Sequence, residues 1–257
     1  MTAEAKTSRR RLDTVVVEKG FAETRNRAQA LILAGHVRVN DVIASKAGTA
    51  VSMDSNVTLD KPDHIYVGRG GVKLAHAISK FHVTVKKRNV LDIGASTGGF
   101  TDVALRSGAF RVIALDVGRG QLAWKLRQDT RVTVLEGINA RYLTLDLLPK
   151  ELQPIDVITI DVSFISAALI LPAVQTILAP DGDIIVLVKP QFEAGRPEVG
   201  KHGIVTDPTV HRRVVDHVAR IGSELGLERI ASVPSPILGA EGNKEFFLHL
   251  RHETATS

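Results

Sequence analysis

From residue 89 onward the chain alternates short, continuously apolar runs with stretches of helical periodicity, and this alternation leaves few folds open. The runs are Asn89–Gly94, Arg111–Asp116, Arg131–Glu136, Asp156–Asp161 and Gly182–Val188. A run that is apolar at nearly every position has no solvated face. It predicts a strand covered on both sides, and strand–helix alternation predicts a parallel sheet with helices on both faces. A helix is expected over about 208–225, followed by a closing pair of strands at Glu228–Val233 and Glu245–Leu250. The expected class is therefore α/β.

The first strand runs into Asp92-Ile-Gly-Ala-Ser-Thr-Gly-Gly-Phe100. Gly94, Gly98 and Gly99 would let the backbone turn sharply and approach a ligand closely. Such a loop stands at the carboxyl edge of the sheet, where open α/β folds bind ligands. The second strand ends in Asp116, placed to accept hydrogen bonds from both ribose hydroxyls of an adenosine. A nicotinamide dinucleotide usually needs Gly-x-Gly-x-x-Gly, which this loop lacks. Asp92, two positions before the first glycine, favours S-adenosylmethionine instead. The expected cofactor residues are Asp92, Gly94, Ala95, Ser96, Gly98, Gly99, Phe100 and Asp116, with Asn139 of Gly137-Ile138-Asn139 bordering the adenine. The alternatives are a dinucleotide, or glycines that serve a tight turn only.

Residues 1–60 read as a separate small α+β module. A helix opens at Arg11-Leu-Asp13 and ends at Gly20; a second spans about Thr24 to Ala34 and stops at Gly35. Short strand-like runs follow at Val37–Val39, Val42–Ile43 and Val57–Leu59, with a turn at Asn40-Asp41. Lys61-Pro62-Asp63 breaks both periodicities, so 61–68 is expected to be a linker, with His64–Val67 extended, and 69–257 the larger domain.

Charge bears on the partner. The net charge is +5, with basic residues concentrated at Arg9, Arg10 and Arg11 and along Arg69, Lys73, Lys80, Lys86, Lys87 and Arg88. Stripes of this kind suit a phosphate backbone, or else a solvated helix face. There are no cysteines, which removes disulfides, Cys-based zinc sites and thiol nucleophiles together. The nine histidines show no metal-ligand spacing, and no metal is expected. The polar, basic start and the absence of a long apolar run make a cytoplasmic protein the expectation, with no membrane partner.

The chemistry narrows by elimination. Carbon-5 methylation of a pyrimidine generally needs a cysteine. Amino-directed methyltransferases often carry a Pro-Pro after the acidic residue ending strand four, and Asp161-Val-Ser-Phe164 has none. A hydroxyl acceptor remains. A ribose hydroxyl is a poor nucleophile, so a base must sit within hydrogen-bond reach as the methyl transfers. Lys73, Asp161, Lys189 and Glu245 offer such a set, in which burial and neighbouring positive charge would lower a lysine toward about 7–8, while the aspartate orients the base and opposes that shift. Taken singly, each is more commonly a surface lysine or a strand-start salt bridge.

Two resemblances sharpen this reading. Arg11-Leu-Asp13, Thr24-Arg25, Ala28, Ile32, Gly35 and Val37-Arg-Val-Asn40 resemble the alpha-L RNA-binding module, which implies RNA contacts from Arg25, Arg27 and Arg38. Over about residues 9–251, Arg69-Gly-Gly-Val-Lys-Leu74, the glycine loop, Asp116-Val-Gly, Gly120-Gln-Leu122, Asp161-Val-Ser-Phe-Ile165, Val188-Lys-Pro-Gln-Phe-Glu193 and Asn243-Lys-Glu-Phe-Phe247 resemble the TlyA family. That family lies within the FtsJ-like RNA 2′-O-methyltransferases. The resemblance implies a Rossmann-like sheet that uses S-adenosylmethionine. It also implies a catalytic Lys-Asp-Lys-Glu tetrad falling on Lys73, Asp161, Lys189 and Glu245; the basic stripe that Arg69 opens makes that residue a further expected RNA contact. The implied substrate is cytidine in ribosomal RNA or ribosomal subunits, of the large subunit and in some members also of the small. His64-Ile-Tyr-Val67 departs from an Arg- and Trp-containing family linker. The short stretch after the last strand favours the large subunit. Oligomeric state is not implied. The rival readings are a membrane-active hemolysin, an RNA-binding protein with an idle methyltransferase fold, and a small-molecule methyltransferase.

Overall fold

The computed structural model describes residues 9–22, 24–52, 54–59, 64–239 and 242–253. The expected linker core Lys61-Pro62-Asp63 lies outside these residues.

The N-terminal module packs two helices on short strands. The elements are β1 (Arg9–Arg11), α1 (Leu12–Glu18), α2 (Arg25–Leu33), β2 (Val37–Val39), β3 (Val42–Ile43), β4 (Ala50–Ser52) and β5 (Val57–Leu59). Leu12, Val16, Ala28, Ile32 and Val37 are fully buried between them. Thr24 caps α2 by accepting from the Arg27 amide at 3.2 Å, which satisfies one of the open donors of the first turn. Asn40 and Asp41 both take positive φ (49° and 66°), the backbone of a tight hairpin turn, and β2 pairs with β3 across it. β1, the arginine triplet, pairs antiparallel with β4.

The larger domain carries a seven-stranded sheet. Its strands are β6 (Asn89–Ile93), β7 (Arg111–Asp116), β8 (Val132–Glu136), β9 (Ile155–Ile160), β10 (Leu178–Val188), β11 (Leu227–Pro234) and β12 (Phe246–His252), in the order β11-β12-β10-β9-β6-β7-β8. All neighbours are parallel except β12, which is antiparallel to both β10 and β11. The helices are α3 (Gly70–Phe81), α4 (Gly99–Arg106), α5 (Trp124–Arg127), α6 (Leu171–Gln175), α7 (Pro190–Glu193) and α8 (Pro208–Glu224). Ile93, Ile158, Val186, Leu171 and Val218 belong to one core layer; Leu74, Phe100, Val112, Leu187 and Phe247 belong to the other. The runs of the inner strands β6, β7, β9 and β10 thus end up covered on both faces, while the edge strand β8 is half-buried along its whole length.

The chain leaves β6 toward β7 and β8, then returns to β9 on its other side. Strand order therefore reverses between β6 and β9, which opens a crevice at their carboxyl ends. Gly94 makes the closeness of those ends feasible. Its φ is +83°, and a Cβ there would lie 2.3 Å from the Asp161 carbonyl oxygen.

Residues 64–67 form bends rather than an extended strand. Tyr66 lies over Gly71, where a Cβ would come within 2.4 Å of the ring, and the Val67 amide donates to Asp102 Oδ2 at 2.9 Å. The basic stripe is also divided. Arg88 binds buried Asp183 at 2.8 Å, beside His249 and Arg251; Asp183 is level with Val157 and Val90, at the other end of β6 from Gly94. Lys73 turns inward.

Candidate active site

A cavity of about 420 Å³ opens at the β6–β9 crevice. Ile93, Leu115, Ile138 and Ile170 give it apolar walls, and Gly94, Ser96, Asp116 and Asn139 add polar groups. The Asp116 carboxylate accepts from the Ser96 amide (2.8 Å) and the Gly118 amide (2.7 Å). These bonds fix its orientation and leave lone pairs facing the cavity. Asn139 Oδ1 accepts from the Arg141 amide at 3.1 Å.

The remaining expected cofactor residues lie elsewhere. Asp92, Ala95, Gly98, Gly99 and Phe100 do not line this cavity. Asp92 is fully buried beneath the loop and accepts from Thr101 Oγ1 (2.6 Å) and Thr159 Oγ1 (3.0 Å). Burial pushes its carboxyl up to about 7, against the two threonine hydrogen bonds. It braces the loop from behind. Gly98 and Gly99 serve packing: a Cβ would lie 2.2 Å from Leu126 on the first and 2.9 Å from the Gly71 amide nitrogen on the second. Phe100 is buried against Phe247, with ring centroids 6.3 Å apart.

A second cleft of about 330 Å³ adjoins the first, and Leu33, Gly94, Ser96, Asp161, Ser163 and Phe164 line both. Lys73, Asp161, Lys189 and Glu245 all face it. Asp161 follows β9, Lys189 follows β10 as the cap of α7, Lys73 stands in the first turn of α3, and Glu245 precedes β12. They form two ion pairs: Lys189 Nζ to Asp161 Oδ1 at 2.5 Å, and Lys73 Nζ to Glu245 Oε2 at 2.5 Å. Lys189 Nζ also donates to Ser163 Oγ at 3.0 Å. Burial alone would lower the Lys189 pKa, but Asp161 and Glu245 outweigh it and hold the ammonium above its usual value of 10.5. In the free protein this lysine is thus a stabilised cation, opposite to the lowered pKa that its burial suggested. Asp161, expected to oppose that lowering, does so together with Glu245, and the two carboxylates decide the sign.

The N-terminal module forms one wall of this cleft through Leu33, Gly35, Ser45 and Lys46. Arg69 links the parts. Its aliphatic stem lies across Gly35, where a Cβ would come within 2.2 Å, and Nη2 donates to the Leu238 carbonyl at 3.1 Å.

The other arginines expected at RNA differ in their freedom. Arg11 Nη2 (2.8 Å), Gln29 Nε2 (2.9 Å) and Arg25 Nη2 (3.1 Å) all donate to Oδ2 of buried Asp13. The Arg11 hydrogen bond leads in holding the Asp13 carboxyl well below its usual range, against the cost of burial. Arg10 pairs with Glu18, and Arg38 Nη1 donates to the Asp41 carbonyl at 2.8 Å. Arg9 and Arg27 are exposed.

Ser163, Phe164, Gln191 and Leu33 line the cleft as well; the first three fall within motifs that the sequence marked without giving them a role, and Leu33 within none. Phe164 is 83% exposed and sits at φ +67°, a backbone region that a bulky residue seldom adopts. Its position within Asp161-Val-Ser-Phe164 was a usable signal. Leu33 had none, because it meets the cleft only through domain packing.

The mostly parallel sheet, its crevice and the acidic residue on the second strand define a Rossmann-like methyltransferase domain, here joined to an RNA-binding type of module. The chain belongs to the FtsJ-like methyltransferase family, whose model matches residues 66–252, and an S4 domain model matches residues 10–57. YqxC of Bacillus subtilis, provisionally named as an rRNA methyltransferase, is 49% identical over 240 residues, spanning 93% of this chain and 85% of that protein. The 16S/23S rRNA (cytidine-2′-O)-methyltransferase TlyA of Mycobacterium tuberculosis is 46% identical over 247 residues, spanning 96% and 91%. A solved structure from Streptococcus thermophilus, named as a hemolysin, superposes with a TM-score of 0.73 at 40% identity and spans 97% and 92%.

Proposed function

We propose that this chain methylates the ribose 2′-hydroxyl of cytidine in ribosomal RNA, with S-adenosylmethionine as methyl donor. One observation carries the reading. Two lysine–carboxylate pairs line a cleft that adjoins the Asp116–Asn139 cavity and is walled by the S4 domain. The cavity suits the donor in its chemistry. Apolar walls accept an adenine ring, Asp116 offers oxygen lone pairs to ribose hydroxyls, and Asp161 offers negative charge to a cationic amine and sulfonium. Gly94, Ser96, Asp116 and Asn139 would hold it, and it supplies an electrophilic methyl group.

The chain's own residues then manage one proton. Lys189 must release the proton it carries before its Nζ can accept that of the 2′-hydroxyl. Positive charge brought near Nζ favours that release, and Asp161 opposes it while fixing the amine's direction. The Lys73–Glu245 pair holds the floor of the cleft. The in-line arrangement of hydroxyl and methyl supplies the rest. The name of the Mycobacterium relative supports cytidine and ribosomal RNA as substrate.

In this reading residues 1–60 dock the RNA, 61–68 link, and 69–257 catalyse, in the cytoplasm. Among the described residues no helix is long and apolar enough to cross a membrane. The test is transfer of labelled methyl from S-adenosylmethionine to purified ribosomal subunits. Incorporation by the native chain and its loss in Asp161→Ala and Lys189→Ala are expected. Equal incorporation in both variants would remove the assignment.

A further inference from the structure

We infer that the groove between the start of α8 and the β11–β12 connection is a second nucleotide subsite, which receives the RNA residue next to the target. The inference rests on the proposed function. The groove holds about 590 Å³, and it adjoins the catalytic cleft: Leu238 and Glu245 line both. Its walls are the apolar faces of Pro208, Pro234, Ile237 and Phe246. On its rim stand Arg212 and Lys244, both exposed, and no described residue forms an ion pair with either.

An apolar groove beside two exposed cations fits a base and its phosphate. Bases stack on apolar and aromatic surface without regard to sequence, and phosphate accepts lysine and arginine. The cationic rim favours RNA over an apolar protein segment as the occupant. The slot is also held open in advance. Ser235 Oγ donates to the Ile237 carbonyl at 2.7 Å, and the Ser235 amide donates to the Glu245 carbonyl at 2.8 Å. Arg69 holds the Leu238 carbonyl, and the His211 ring lies 5.4 Å from that of Phe246. A preformed slot binds without the cost of ordering its walls. Anchoring the neighbouring residue there would pull the strand taut across Glu245 and present the target ribose to Lys189.

Two measurements test this. The first is the kinetics of Arg212→Glu/Lys244→Glu on ribosomal subunits. KM for the subunit should rise about tenfold or more, with a shallower salt dependence and an unchanged Kd for S-adenosylmethionine. An unchanged KM, with the native chain active, would overturn the subsite and leave the proposed function standing. A native chain that modifies no subunit would overturn both. The second is photocrosslinking of the native chain to subunits whose RNA carries 4-thiouridine. Adducts on peptides within 208–212 or 234–246 are expected. Adducts confined to the S4 domain and to residues 163–192 would refute the subsite. So would a ribosomal-protein peptide joined to Lys244 by a lysine-reactive crosslinker.

Discussion

The Lys73–Glu245 pair permits a separation of stability from chemistry. Lys73→Met keeps the stem and its packing but removes the ammonium from a side chain that is 11% exposed, opposite a Glu245 side chain that is 2% exposed. Breaking a buried pair by removing one partner costs about 3–5 kcal/mol, because the other charge stays buried. Glu245 also feels the Lys189 cation, which compensates part of that charge and sets the expectation at the low end, about 3 kcal/mol. For a domain of this size that is a fall in Tm of about 6–12 °C. Glu245→Gln should cost less, because the released Lys73 stem is long enough to carry its charge toward water. Lys73→Met/Glu245→Gln removes both charges and should return to within about 1 kcal/mol of the native chain. Chemical denaturation of the four proteins gives the cycle, and methyl transfer is measured beside it. All three variants should lose about 100-fold in kcat, including the double variant that folds well, because the pair that positions the ribose against Lys189 is gone. A loss below 1 kcal/mol in Lys73→Met, or a double variant no more stable than the weaker single, would refute the buried-pair account.

Three further outcomes follow from the geometry. Asp116→Ala removes the acceptor of two backbone amides and the cavity's ribose contact, so its Kd for S-adenosylmethionine by calorimetry should rise at least about tenfold; an unchanged Kd contradicts the contact. Lys189 should titrate above 10.5 in the free protein. Since the folded pKa is raised, the pair's stabilisation is complete below 10.5 and is lost as pH rises through the folded value; NMR of labelled lysine reads this directly, and a free-protein value below 10.5 is incompatible with it. Asp13→Asn leaves Arg11, Arg25 and Gln29 with a weaker acceptor and should destabilise the S4 domain by about 1–3 kcal/mol. The Asp13 carboxyl is depressed, so this contribution is present above about 3.8 and fades as pH falls; equal acid stability of native and variant chains would contradict it.

The sheet was legible because parallel strands covered on both faces leave an unmistakable trace, unbroken apolar runs such as Val112–Leu115 and Ile184–Val188. The hairpin at Asn40-Asp41 was legible from turn chemistry. β1 was not: three arginines carry no apolar alternation, and only their pairing with Ala50–Ser52 makes them a strand. At the site, Gly94 and Asp116 could be placed because a strand end fixes where they stand. Gly98 and Gly99 could not. A glycine signals that something approaches closely, and at these two the protein atoms that approach are those of Leu126 and the start of α3. Asp92 likewise signals a fixed loop, and its burial was not readable. The four charged residues from distant segments were recognised as a set, while their division into two pairs, and so the protonation of Lys189, depends on distances that sequence does not carry.

The central claim is that the proton leaves a ribose hydroxyl of ribosomal RNA. The direct measurement is alkaline hydrolysis of RNA from subunits treated with the purified chain and S-adenosylmethionine, because a 2′-O-methyl group blocks cleavage at its own nucleotide. The account predicts one or more protected cytidines that appear with the native chain and not with Lys189→Ala. Methyl incorporation that leaves every ribose cleavable would place the product on a base and contradict it.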